Sequence, residues 1–90
     1  MSKTRMESDW YEVHSLKMDY GLLLNPSESD TIEHVREAID RYNKRAIEKG
    51  YNAERYNICH KEWYRWKADD GSFLKDETIL QLVEVYPEKL

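Results

Sequence analysis

Cys59 and His60 are adjacent, and by type a thiol beside an imidazole could serve as nucleophile and base, or as part of a metal site. Neighbouring side chains on a strand point to opposite faces, so an extended backbone would keep the two from converging on one atom. His14 and His34 would complete a site only through a tertiary approach that no spacing announces. The expectation is a structural cysteine beside a surface or half-buried histidine.

A second candidate is Trp66-Lys67-Ala68-Asp69-Asp70-Gly71-Ser72-Phe73-Leu74-Lys75-Asp76-Glu77, which resembles half of an EF-hand loop. Asp70, Gly71, Phe73 and Glu77 stand where the fifth, sixth, eighth and twelfth positions of a calcium loop would be. The first and third positions, however, fall on Trp66 and Ala68, where calcium needs oxygen ligands. A hairpin turn is the reading kept. Gly21, Gly50 and Gly71 are isolated, so no glycine-rich phosphate loop can form. Neither a metal nor a cofactor is expected, and no enzymatic activity.

The most informative stretch is Arg55 to Lys67, where two of the three tryptophans and two of the seven tyrosines interleave with Arg55, Lys61, Arg65 and Lys67. Large aromatics supply contact area at low entropic cost, and a cation over an indole adds attraction. In a strand, Trp63, Arg65 and Lys67 share one face with Lys61, while Tyr56, Ile58, Tyr64 and Trp66 take the other. The first face suits a protein interface, where Trp, Tyr and Arg concentrate as hot spots. It also has the parts of a single-strand nucleic-acid platform, which stacks bases on aromatics and tracks phosphates with Lys and Arg. Trp63, Arg65, Lys67, Lys61 and Tyr64 are the candidate binding residues.

Charge favours the protein partner. The net charge is −4, which gives no general attraction to polyanions. The basic segment is followed directly by an acidic one carrying Asp69, Asp70, Asp76, Glu77, Glu84 and Glu88, so two neighbouring elements are expected to neutralise each other. A second copy of the chain is among the partners such a face admits; a membrane is not. A single cysteine cannot form an internal disulfide, and no signal-peptide pattern or membrane-length apolar run is present, which sets a cytoplasmic location as the default.

These residues must be positioned by a small set of elements. Ninety residues suggest one domain over 1–90, with residues 1–8 expected to be flexible. Ile32, Val35, Ile39, Tyr42 and Ala46 recur at spacings of three and four and predict a helix from about Asp30 to Lys49. Asp30 with Glu33 fits a capping box, Ser29 is an alternative cap, and Gly50 suits the helix end. Trp10 to Leu24 reads somewhat better as strand, bend and strand than as a helix capped by Asp9 and Glu12. The strand reading puts Trp10, Glu12, His14 and Leu16 on one face. Aromatic and β-branched content makes 56–66 a strand, Asp69-Asp70-Gly71-Ser72 a turn, and Thr78 to Tyr86 a strand pairing back. The sum is a small α+β domain, strand or hairpin, helix, strand, strand, with one amphipathic helix on an antiparallel sheet. Tyr56, Ile58, Tyr64 and Trp66 would lie beneath the helix.

Overall fold

The structure is a computed structural model that describes residues 1–6 and 10–90. Its main helix begins after a turn cluster that caps two helices in succession. Asn25 accepts a hydrogen bond from the Glu28 amide (3.1 Å) while the Glu28 carboxylate accepts from the Asn25 amide (3.2 Å), which closes a capping box over the short helix α1, Pro26–Ser29. Proline at its first position loses no hydrogen bond there. Thr31 then caps α2, Ile32–Glu48, its hydroxyl accepting from the His34 amide at 3.1 Å. The expected Asp30–Glu33 box does not form, nor does Ser29 cap α2. Asp30 instead reaches the His34 ring one turn on, at 2.6 Å.

The apolar stripe lies where its spacing predicts. Val35, Ala38 and Ile39 are buried, and Ile32, Tyr42 and Ala46 are half-buried around them. Tyr42 also donates its hydroxyl to the Leu23 carbonyl at 2.8 Å. Gly50, at φ 85°, takes the left-handed conformation that ends the helix. Buried Asn43 then fastens the connection that follows: its side chain donates to the Glu54 carbonyl and accepts from the Glu54 amide, both at 3.0 Å.

The sheet is antiparallel and built around one strand. Among the described residues it has five strands, β1 (Ser2–Met6), β2 (Tyr11–Ser15), β3 (Gly21–Leu22), β4 (Tyr56–Lys67) and β5 (Phe73–Tyr86). β4 is central. One of its edges is lined along almost its whole length by β5, from Tyr56 opposite Tyr86 to Lys67 opposite Phe73. Its other edge is shared end to end, with β2 against Tyr56–His60 and β1 against Trp63–Lys67, and β3 continues the sheet outside β2. The fold is thus α+β, with an amphipathic helix packed on an antiparallel sheet.

Two expectations are corrected. Residues 2–6 are an edge strand instead of a flexible tail, because the exposed edge of β4 offers backbone partners to any segment that can extend; residues 7 and 8, and Asp9 as an alternative helix cap, lie outside the described residues. In β2, Glu12 and His14 share a face as the strand reading expects, and that face points away from the helix, opposite Tyr11, Val13 and Ser15. Finally, α2 covers only part of the sheet. The core joins Val13, Val35, Ile39, Tyr56 and Ile58, with Tyr11, Leu22, Leu24, Ile32 and Tyr86 packed around it. Tyr64 and Trp66 share the helix side of β4 but lie six and eight positions beyond Ile58, or roughly 20 Å and more along the strand.

The sheet consequently projects as an arm made of β1, the second half of β4 and the first half of β5. The molecule measures 56 × 24 × 21 Å. Its radius of gyration is 16.2 Å, against about 12 Å for a compact domain of this length.

Candidate functional site

Alternation along β4 gives the arm two faces. Tyr64 and Trp66 lie on the helix side, while Lys61, Trp63, Arg65 and Lys67 lie on the opposite, open side. Of the five candidate binding residues, four therefore share a face and Tyr64 does not.

On the open side, register places Met6 and Thr78 on either flank of Trp63, and Thr4 and Asp76 on either flank of Arg65. The Arg65 guanidinium is gripped by the Asp76 carboxylate through two bonds, at 2.9 and 3.3 Å. It also lies 5.3 Å from the Trp63 ring centroid and 5.5 Å from that of Phe73. The hydrogen bond from Arg65 holds the Asp76 carboxyl below the usual carboxylate range. Lys61 is 3.4 Å from Glu12, whose other oxygen meets the His14 ring at 2.9 Å. Lys67 is exposed and has no ion pair among the described residues. Two of the three cations on this face are thus already neutralised by neighbouring strands.

What remains open is apolar. Trp63 is half-buried, and further along the same side Leu80 and Leu82 of β5 are exposed, Leu82 by 61%. Phe73 and Leu74 are exposed at the arm's tip. Cys59 also faces this side, yet it is sealed by its neighbours in the sheet, and burial pushes its thiol pKa up. His60 lies on the helix side with its ring edge-on to Tyr11 at 5.5 Å. The adjacent thiol and imidazole do not meet.

The helix side of the arm answers a different question, namely what covers Tyr64 and Trp66 in the absence of the helix. The ammonium of Lys3 sits 4.3 Å from the Tyr64 ring and 5.5 Å from that of Trp66, with Lys75 at 5.5 Å from Trp66 on the other flank. Glu77 anchors Lys3 at 3.3 Å. The Trp66 indole N–H is sealed from solvent without a hydrogen-bond partner, beside a cleft of about 260 Å³ lined by Met1, Trp66, Leu74 and Lys75. No signal in the sequence placed β1 here, so Lys3 and Met1 were missed as neighbours of the aromatic stretch.

The turn between β4 and β5 is a hairpin. The Ala68 amide donates to the Ser72 carbonyl at 2.9 Å, and Asp70 accepts from the Ser72 amide and hydroxyl at 2.9 and 2.6 Å. The amino terminus of Met1 pairs with Asp69. Glu77 of the supposed calcium loop is engaged by Lys3, and among the described residues no three His, Cys, Asp or Glu side chains are grouped to hold a metal.

A cleft of about 440 Å³ lies at the other end of the molecule, between the β2–β3 turn and residues 53–55, with Ser15, Asp19, Tyr20 and Glu54 among its walls. Ser15 donates its hydroxyl to Asp19 at 2.6 Å. Tyr20 donates to Glu54 at 2.6 Å, a bond that pushes the phenol pKa far up. The nearest histidine in sequence, His14, points to the opposite face and is held by Glu12, so this cleft has a hydroxyl and carboxylates but no imidazole to activate them.

Among the described residues no helix is long and apolar enough to cross a membrane. Comparison with protein-family models, with curated proteins and with solved structures found no match to this chain.

Proposed function

We propose that the chain is a non-enzymatic protein-binding module of docking, regulatory or inhibitory type, which meets its partner through the open side of the arm. The observation that carries this reading is how the face divides. Its cations are mostly paired with Asp76 and Glu12, while Trp63, Leu80 and Leu82 keep apolar surface in water. A nucleic-acid platform needs cations available to phosphates, because counterion release supplies much of its affinity. A protein interface needs an aromatic anchor ringed by satisfied polar groups, which matches Trp63 flanked by the Arg65–Asp76 pair.

A photo-crosslinking side chain at Thr4, beside Arg65 on the open side and away from β5, should capture a discrete protein, and Trp63→Ala should suppress that adduct. The same probe at Glu37, on the exposed surface of α2, should give none. Titration with oligo-dT decides the alternative. Micromolar binding that falls steeply with salt and disappears in Arg65→Ala/Lys67→Ala would replace the protein partner with a single-stranded nucleic acid.

A further inference from the structure

β5 is an edge strand of fourteen residues, the longest strand of the sheet, and among the described residues no strand lines its outer edge. Among the described residues its backbone bonds only to β4. Such edges in natural proteins are usually guarded by proline, by lysine, by inward-pointing charges or by bulges, because an unguarded one recruits further strands. β5 has register irregularities near Leu74 and at Val83, and between them the ladder is regular from Lys75 to Leu82. Within that ladder, Thr78-Ile79-Leu80-Gln81-Leu82 contains no charge, no proline and no glycine. Leu80 and Leu82 are exposed, and Ile79 is half-buried.

We propose that this edge is a strand-addition site whose occupant is the same edge of a second copy, paired antiparallel about a twofold axis. The site is the strand's edge and not the open side, so the inference does not rest on the binding function proposed above. Residues directly opposite each other in an antiparallel pair put their side chains on the same face, so a twofold perpendicular to the sheet must pass beside a residue paired with itself. Centred on Ile79, that register sets Thr78 opposite Leu80, Glu77 opposite Gln81 and Asp76 opposite Leu82. No like charges face each other, although each copy carries a net charge of −4. The two Ile79 side chains meet on the helix side. Leu80 and Leu82 of one copy adjoin Thr78 and Asp76 of the other on the open side, which makes the two open sides one surface. A contact of this length is small for an interface, so a high protein concentration is needed to populate the dimer.

The test is the mass in solution together with two adjacent proline variants. Wild type at high micromolar concentration should sediment at twice the 10.9 kDa of one chain. In an edge strand, successive N–H groups alternate between the neighbouring strand and the outside. Of Ile79→Pro and Leu80→Pro, one therefore breaks the ladder to β4, and the other removes only an outward donor. The second should keep the wild-type circular dichroism and sediment as a monomer. Amide exchange in wild type gives a reading without mutation. A dimer protects consecutive amides from Thr78 to Leu82, whereas a bare edge protects only every second one. A monomeric wild type, alternating protection, or a folded outward-proline variant that stays dimeric would each overturn the proposal. Trp63→Ala should leave the mass unchanged, which separates failure of the edge from failure of the open-side reading.

Discussion

The two halves of this sheet are made by the same central strand, yet they are held together differently. Around Tyr56 and Ile58, β4 is sandwiched between α2 and its flanking strands, and the side chains that meet there are fully buried. From Trp63 to Lys67 the same strand keeps its ladders on both edges but loses the helix, and its aromatics are covered by Lys3, Lys75 and Arg65. Burial of apolar area stabilises the first half, where each fully removed aliphatic side chain contributes about 1.5–3 kcal/mol. In the second half, backbone pairing and cation–aromatic contacts stand in, each modest where water still reaches. The difference shows how a helix that stops short leaves a sheet able to present both its faces and an edge.

The largest contrast should come from truncating one aliphatic side chain in each half. Ile39→Ala removes a fully buried side chain from the core and should cost about 2–5 kcal/mol in a urea titration. Leu82→Ala, on the open side, should stay within about 0.5 kcal/mol of wild type. Comparable losses in both would mean that something covers the open side in the free protein. Next in size, Asn43→Ala strips both backbone groups of Glu54 of their partner and should cost about 1–3 kcal/mol.

Much of the first half could be read from sequence, because burial leaves a periodic trace. Ile32, Val35, Ile39 and Tyr42 declare the helix; in the other half only the turn at the tip, Asp69-Asp70-Gly71-Ser72 between two aromatic or branched runs, declares itself as plainly. The arm was harder. Parity put Trp63, Arg65 and Lys67 on one face, but parity does not say how far along a strand a helix reaches, so Tyr64 and Trp66 were assigned a cover they do not have. β1, Ser-Lys-Thr-Arg-Met, shows no apolar alternation, since half-exposed pairing with β4 requires none. The neutralisation of Arg65 by Asp76 was visible only as a basic run next to an acidic one; which cation meets which carboxylate depends on register, and register is a tertiary property.

Helix capping gives a smaller and sharper comparison. Thr31→Ala removes the side chain that holds the His34 amide and should cost about 1 kcal/mol. Ser29→Ala leaves that bond intact and should cost less, even though the sequence offers Ser29, as the alternative to Asp30, and not Thr31 as a cap. Reversed magnitudes would move the start of α2 back by two residues.

The smallest effect distinguishes the halves by pH. In the helical half, the hydrogen bond from His34 to Asp30 raises the imidazole pKa above its ordinary value of 6.5. A group whose pKa is raised on folding contributes stability that is complete below its unfolded pKa and is lost as pH rises through the folded one. In the arm, Asp76 is held below the ordinary carboxylate pKa of 3.8 by Arg65, so its contribution is complete above that value and is lost only as acid passes the folded pKa. Arg65 stays charged throughout. The melting advantage of wild type over Asp30→Asn should therefore shrink as pH rises through the raised His34 pKa, while its advantage over Asp76→Asn stays flat there and declines only in acid. Both pairs are exposed, so the differences will be small, and proton NMR of the His34 ring offers the more sensitive reading. Its midpoint should fall toward the ordinary imidazole value in Asp30→Asn and stay in place in Asp76→Asn. An unchanged midpoint in Asp30→Asn would show that the pair does not hold in solution.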